Sequence, residues 1–397
     1  MKIIKLVIHV IILLSINNVF AQRTLTEEEK YRILNNLDSL NTTKYLDAID
    51  DAIRYRFYEA VIKLENNFWK SRTTSKPHFL YALKELKSTK AYEYAKKYLD
   101  SVNIYYEREG RDTTYIYSDK SFAIEILFDK RDFSYSNYVM NLMCCDENKY
   151  RIAIPLLTYI IKYDSINSQR ALDLLINTAL NSNIDRSRSS SIHYLEWILG
   201  ENSIPILIES LKREINEGNK DRILFYYFYK KYKSLEINKA LREQLPKETY
   251  KINKNWEARI LLRRYGSPTD YYIVKEVMEK ETNLEVKNTL QIELKDYRPP
   301  KPDSTETPLS MIDSLISYNN QCYNLGWIQY YWVRDINYYQ LNNAKMMINM
   351  GYPISAEIIL QAYENWINTV KGLGWINEDA YRFLYNFSVY LRERLRV

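Results

Sequence analysis

The chain has 397 residues, more than one typical domain, and 46% of them are hydrophobic, enough to fill a large core. Its 56 basic and 50 acidic residues leave a net charge of +6 and are interleaved along the sequence. This balance argues against a nucleic-acid-binding protein, so we expect no nucleic-acid partner.

The first 21 residues have the pattern of a cleavable signal peptide. Lys2 and Lys5 precede an apolar stretch at 7–14, and the small residues Val19 and Ala21 occupy the positions before a cleavage site. The apolar stretch is too short to span a bilayer, although an uncleaved anchor is the alternative. We therefore predict export to the periplasm or the cell exterior, with no integral membrane span after cleavage.

Glycine and proline predict an all-α protein. Only 8 glycines are present, too few for the turns of a β-rich chain, and most of them follow an amphipathic stretch as a helix C-cap does. Several prolines precede or open a helical pattern, the position that proline tolerates. They are Pro77, Pro155, Pro205, Pro268, Pro308 and Pro353. The apolar spacing between these residues follows the 3.6-residue period of a helix.

Two segments 50 residues apart have similar sequences. Ile154–Tyr163 and Ile204–Arg213 share Ile, Pro, Leu and Lys at matching positions, and each precedes a second apolar segment with arginine at its start. A weaker copy begins at Tyr271. This pattern resembles HEAT repeats over approximately residues 140–297, which implies helix pairs stacked into an irregular α-solenoid. The spacing is irregular, and residues 25–135 fit an irregular helical bundle equally well.

A proline-rich segment predicts a domain boundary. Residues 298–307 hold three of the ten prolines and no other apolar residue, which is typical of an extended linker. We therefore predict a signal peptide at 1–21, a helical repeat domain at 22–297, a linker at 298–307 and a small C-terminal helical bundle at 308–397.

The C-terminal segment contains a duplicated motif within four predicted helices. Leu325-Gly-Trp-Ile328 recurs as Leu373-Gly-Trp-Ile376, after the first and third helices. Together with Leu341–Ala344 and Tyr363–Val370, this pattern resembles the FIMAH/FIVAR-type helical modules of bacterial surface and secreted proteins, over approximately residues 309–397. The resemblance implies an accessory role in adhesion or partner binding. An aromatic stretch at 329–339 departs from the family pattern.

The sequence contains no recognisable catalytic or metal-binding motif. His193 and Glu196 are a single weak pair, and there is no Gly-rich phosphate loop or Gly-x-Ser-x-Gly elbow. We predict no catalytic residues, no metal and no cofactor. The cysteines are Cys144, Cys145 and Cys322, which we interpret as small buried residues, with a disulfide to Cys322 left open.

Aromatic residues are the one conspicuous candidate for a binding surface, because the chain has 38 tyrosines and 7 tryptophans. The candidate binding residues are Trp327, Tyr330, Tyr331, Trp332 and Trp375. These side chains form either a core rim or an exposed platform.

Our first hypothesis is a non-enzymatic scaffold that binds a protein partner in the envelope or exterior. Exposed contiguous aromatics after residue 325 would favour the alternative, a glycan- or cell-wall-binding protein. A cleft with two facing carboxylates would favour a hydrolase.

Overall fold

The structure, a computed structural model, describes residues 24–40, 43–71, 75–109, 113–144 and 147–396, with side chains at 102–119 and 144–148 left out. Within these residues every regular element is helical, and one isolated bridge is the only β-type pairing. The all-α prediction is therefore confirmed. None of the described helices is both long and apolar enough to cross a membrane. The predicted signal peptide lies outside the described residues.

The chain divides into two compact units, residues 1–198 and 199–397. The helices that begin in the first unit are α1 (Glu27–Asn36), α2 (Thr43–Arg54), α3 (Ala60–Phe68), α4 (Lys76–Glu85), α5 (Ala91–Glu109), α6 (Thr113–Asp129), α7 (Ser136–Asn141), α8 (Glu147–Tyr163), α9 (Ser168–Asn181) and α10 (Asp185–Leu199). Its core includes a cluster of aromatic rings in which Phe79 packs against Tyr45 and Phe68, at centroid distances of 5.7 and 6.4 Å. Burial of such large rings is a main source of its stability.

The sequence pattern predicted that Pro155 precedes or opens a helix, and this prediction is wrong. Pro155 lies inside α8, which begins at Glu147. Apolar side chains on both sides of the proline, Ala153, Ile154, Leu156 and Leu157, are buried, so packing outweighs the backbone hydrogen bond that proline cannot donate. By contrast, Pro205 occupies the first turn of its helix as predicted.

The second unit begins at Leu199. Its helices are α11 (Ile204–Arg213), α12 (Glu217–Arg222), α13 (Leu235–Gln244), α14 (Lys251–Ile260), α15 (Pro268–Lys280), α16 (Leu284–Leu294), α17 (Pro308–Asn324), α18 (Tyr331–Asn349), α19 (Pro353–Gly372) and α20 (Glu378–Leu395). Helices α12 and α14 each continue into a π-helical segment, at Ile223–Tyr229 and Leu261–Tyr265. Helix α14 packs on α12 and α16, and α15 packs on α16, α17 and α20.

The proline-rich segment is packed within this second unit. Tyr297, the residue just before it, is buried, and its hydroxyl donates a 2.8 Å hydrogen bond to the carbonyl of Leu262. Farther along, Arg394 of α20 donates to the carbonyls of Asp303 and Ser304, at 3.1 and 2.8 Å. The segment therefore contacts residues before and after it. The boundary between the two compact units falls between Ile198 and Leu199.

One buried carboxyl group gives the second unit a pH-dependent stability. Glu257 on α14 is fully buried, and neither of its oxygens has a hydrogen-bond partner among the described residues. Burial raises the pKa of Glu257 well above its usual value, and the nearby Glu248 raises it further. The neutral form is thus favoured in the fold, so the associated stability is present at low pH and is lost as pH rises toward the folded-state pKa.

We therefore expect Glu257→Gln to match the native chain near pH 4 and to be more stable at higher pH. The difference in the free energy of unfolding should grow by about 1.4 kcal/mol for each pH unit above the unfolded pKa, up to the folded pKa. Urea unfolding at several pH values measures this difference. A variant that differs from the native chain by the same amount at every pH would contradict the assignment. Glu236→Gln, on an exposed position of α13, is the control.

Candidate binding site at the paired loops

The repeated Leu-Gly-Trp-Ile motif forms two loops with the same backbone geometry. Gly326 and Gly374 have φ values of +72° and +73°, the left-handed conformation that ends a helix. The following tryptophan N–H groups donate back into the helices, from Trp327 to Cys322 and from Trp375 to Val370, both at 2.9 Å. This is the bonding of a glycine-terminated helix end, and it explains why the motif occurs after α17 and again after α19.

The two loops pair with each other. Ile328 and Ile376 form an antiparallel bridge, and they are equivalent residues of the two motifs. Two backbone hydrogen bonds of 3.0 Å flank it, from Gln329 N–H to the Trp375 carbonyl and from Asn377 N–H to the Trp327 carbonyl. An antiparallel pair between equivalent residues relates the helix pairs α17–α18 and α19–α20 by an approximate local two-fold axis.

The two equivalent tryptophans nevertheless have different surroundings. Trp327 is buried, and its ring stacks on Phe383 of α20 at 6.1 Å with an interplanar angle of 24°. Tyr271 of α15 covers the same ring edge-on at 6.1 Å. Contacts such as the 2.9 Å ion pair between Lys275 and Asp379 hold α15 on this side. One side of the paired loops is therefore closed by the chain itself.

Trp375 lies on the other side, in a cluster of aromatic rings at the surface. Its ring meets Trp332 at 4.8 Å and 78°, and Trp332 is stacked on Tyr330 at 5.7 Å and 17°. Tyr330 is 43% exposed and the adjacent Tyr331 is 63% exposed, while both tryptophans are half-buried. We call Tyr330, Tyr331, Trp332 and Trp375 the aromatic face. Trp375 is the equivalent of Trp327 in the second motif. Helix α15 covers Trp327, whereas it makes no ring contact with Trp375.

A chain of buried amides fixes the ring behind the aromatic face. Trp366 of α19 lies 6.5 Å from Trp375 and donates its indole N–H to Asn337 at 2.9 Å. Asn337 donates to Asn319 at 2.8 Å, and Asn319 donates to the carbonyl of Arg334 at 2.9 Å. Both asparagines are fully buried. These bonds link α17, α18 and α19, so the orientation of Trp366 is set before any ligand binds.

Polar groups adjoin the aromatic residues along α18. Gln329 precedes Tyr330 and is exposed. Arg334 is bound to Asp335 at 2.5 Å and lies over the ring of Tyr323, 4.7 Å from its centroid. Aromatic rings with an amide, a guanidinium and a carboxylate close to them in sequence offer both flat apolar area and hydrogen-bonding groups, as ligand sites do.

The structure separates the five residues that the sequence singled out. Tyr330, Tyr331, Trp332 and Trp375 share the aromatic face, whereas Trp327 belongs to the core. Trp366, which was not among those five residues, lies 6.5 Å from the ring of Trp375. Cys322 is fully buried and forms no disulfide. Cys144 and Cys145 have no described side chains. No group of His, Cys, Asp or Glu suited to a metal ion occurs among the residues that the structure describes.

A separate cleft of about 670 Å³ lies beside the proline-rich segment, and it contains four carboxylates. Each is within 4.0 Å of a cation: Asp270 binds Arg242, Asp313 binds Lys345, and Asp303 and Glu306 share Lys233. Asp270 also accepts hydrogen bonds from Asn238 and from the N–H of Ser267. All four carboxylates of the cleft are thus engaged in ion pairs with basic side chains of the same unit.

Two signals for this region were present in the sequence. The repeated motif indicated two equivalent helix ends, and four of the seven tryptophans lie after residue 326. The sequence could not predict that Trp327 is buried and Trp375 only half-buried, because this difference depends on where α15 packs. No protein-family model matches the chain, and no curated protein or solved structure has significant similarity to it.

Proposed function

We propose that this protein is a non-catalytic glycan-binding protein and that the aromatic face is its binding surface. The observation that carries the proposal is the contiguous group of partly exposed rings at Tyr330, Trp332 and Trp375, with the exposed Tyr331 next to them in the chain, on the side of the paired loops that α15 does not cover. The predicted export signal would give the protein access to envelope or extracellular polysaccharides.

The chemistry of the rings supports a sugar ligand. An aromatic ring has a negative face, which attracts the C–H groups on the flat side of a pyranose. The neighbouring Gln329, Arg334 and Asp335 can exchange hydrogen bonds with its hydroxyl groups. Trp366 is held by Asn337, so little conformational entropy is lost on binding. A binding role also agrees with the adhesion-type function implied by the resemblance to FIMAH modules.

A panel of immobilised oligosaccharides and insoluble cell-wall polysaccharides tests this proposal. The full chain should bind at least one glycan, and Trp375→Ala and Tyr330→Ala should each weaken that binding by about 30-fold or more, as expected for central aromatic contacts. Trp197→Ala is the matched control, because Trp197 is 63% exposed and belongs to the first unit. Binding of peptides but no glycan, or equal losses in the control, would reject the proposal.

The first hypothesis from the sequence was a protein-interaction scaffold. A surface other than the aromatic face supports it. The second unit carries an exposed apolar surface at the turn between α18 and α19, away from the paired loops. Such surfaces on soluble domains mark contacts with other molecules. We develop this observation below as a proposal about a specific partner.

A further inference from the structure

The turn between α18 and α19 carries a concentrated group of exposed apolar side chains. Met346 is 43% exposed, Met350 57%, Tyr352 58%, Ile354 74% and Ile358 64%. We call these five residues the apolar tip. Scattered exposed apolar residues are normal on a protein surface, but five within 13 positions form a patch of the kind that marks an interaction site.

The helical spacing places these side chains on neighbouring stripes. Met346 and Met350 are four residues apart on and just after α18, and Ile354 and Ile358 are four residues apart on α19. The two helices are packed against each other and joined by a short turn through Gly351, whose φ is +77°. The apolar tip is therefore formed by two helices that pack on each other and by the turn between them, with flexible methionines before the turn and stiff isoleucines after it.

The apolar tip is electrostatically neutral. No charged residue occurs from 346 to 356. The flanking charges are both paired inside the chain, Lys345 with Asp313 at 2.6 Å and Glu357 with Arg396. A surface without net charge attracts neither an acidic nor a basic partner. It also repels no copy of itself, because no like charges meet when two such tips face each other.

We propose that the apolar tip binds the apolar tip of a second copy of this chain and forms a two-fold symmetric dimer. A two-fold interface uses the same patch on both partners, so the patch must not repel itself, and an uncharged apolar patch meets this condition. Complete burial of the five side chains would remove at most about 500 Å² per copy, or about 1,000 Å² in total, from water, which is the size of a weak interface.

A lipid surface is the competing occupant, and the residues of the apolar tip favour the second copy. Membrane-binding patches combine aromatic or leucine side chains with free lysines or arginines that attract anionic headgroups. The only base between residues 335 and 370 is Lys345, and its charge is held by Asp313. The apolar tip has one aromatic ring and no free cation.

The dimer would carry two aromatic faces. The apolar tip is at the C-terminal end of α18 and the N-terminal end of α19, whereas the aromatic face begins at the opposite ends of these helices. A helix of 19 residues such as α18 is about 28 Å long. Tip-to-tip association therefore leaves both aromatic faces free, and a polymeric ligand with repeated units could engage both at once.

Light scattering coupled to size-exclusion chromatography, with sedimentation equilibrium, tests the dimer. The native chain should have twice the mass of one chain at about 100 μM, and Ile354→Glu should raise the dissociation constant by about 30-fold or more, because two glutamates would face each other. Ile354→Lys should do the same. An equimolar mixture of the two variants should restore a dimer, since opposite charges then meet.

The control is Ile292→Glu on α16, which introduces the same charge at a side chain that is 73% exposed. It should leave the dimer unchanged, and circular dichroism checks that all variants remain folded. A native chain that is monomeric at about 100 μM would overturn the proposal. So would a dimer that is insensitive to both Ile354 variants, or a monomer that binds neutral phospholipid vesicles through the apolar tip. Glycan binding by a strictly monomeric chain would remove the dimer but leave the proposed function intact.

Discussion

Gly266→Ala should lower the free energy of unfolding of the second unit by about 3 kcal/mol. Gly266 has a φ of +60°, where an L-residue costs about 1 kcal/mol. A Cβ atom at this position would also lie 2.1 Å from Cδ of Pro300 and 2.7 Å from the hydroxyl of Tyr297. The proline-rich segment would have to move, which adds an overpacking term of about 2 kcal/mol.

Gly200→Ala separates these two contributions. Gly200 has nearly the same φ, +56°, but nothing lies within 4 Å of a Cβ atom added there. Chemical denaturation should therefore give a loss of only about 1 kcal/mol for this variant. Equal losses for the two variants would mean that the proline-rich segment does not pack on Gly266. It would then behave as the free linker that the sequence predicted.

Asn337→Leu should destabilise the second unit by about 2 to 3 kcal/mol and also weaken ligand binding. Leucine has a similar volume but leaves the Trp366 indole N–H and the Asn319 side-chain oxygen without their hydrogen-bond partners. Each buried group left unpaired costs about 1 to 3 kcal/mol, which the added apolar contact partly offsets. Trp366 would lose the bond that orients it behind Trp375, so the aromatic face would change although none of its residues is replaced.

Asn343→Leu on the same helix is the control, because Asn343 is exposed. Its stability should lie within about 0.5 kcal/mol of the native chain. Urea unfolding measures the first effect, and tryptophan emission of the folded variants reports the second. An Asn337→Leu variant with native stability and native emission would show that the amide chain has no role in holding Trp366.

Local features of the fold were predictable because they depend on neighbouring residues. Threonine is a preferred N-cap residue, and the side chain of Thr307 accepts a hydrogen bond from the N–H of Ser310 at the start of α17. The glycines at 326 and 374 end helices as expected. The four C-terminal helices follow from the 3.6-residue period, since each buries one apolar stripe.

Features that depend on distant contacts were not predictable. The residues at 298–307 have the composition of a linker, yet they pack because Gly266 leaves room for Pro300. Pro155 has the sequence context of a helix start, but buried neighbours extend α8 through it. Glu257 looks like an ordinary surface residue of an amphipathic helix and is fully buried. These tertiary contacts cannot be predicted from the local patterns of a single sequence.

The same limit applies to the candidate site. The sequence indicated that aromatic residues after 325 were either a core rim or a platform, and the structure contains both arrangements. Trp327 is core because Tyr271 and Phe383 cover it, and Trp375 is at the surface because its equivalent side is uncovered. The apolar tip corresponds to a run without charged residues, 346–356, in the sequence. Such a run is equally typical of a buried segment, so only the exposure of its side chains identifies it as a surface.

The central claim is that the aromatic face binds a sugar through its rings, and calorimetric titration of Trp375 variants tests it most directly. The titrant is the glycan that the panel identifies, and the variants are Trp375→Phe and Trp375→Leu. Stacking predicts that the phenylalanine variant keeps an affinity within about fivefold of the native chain, while the leucine variant loses about 30-fold or more. Equal affinities of the two variants would contradict the account, as would a native chain that binds no glycan.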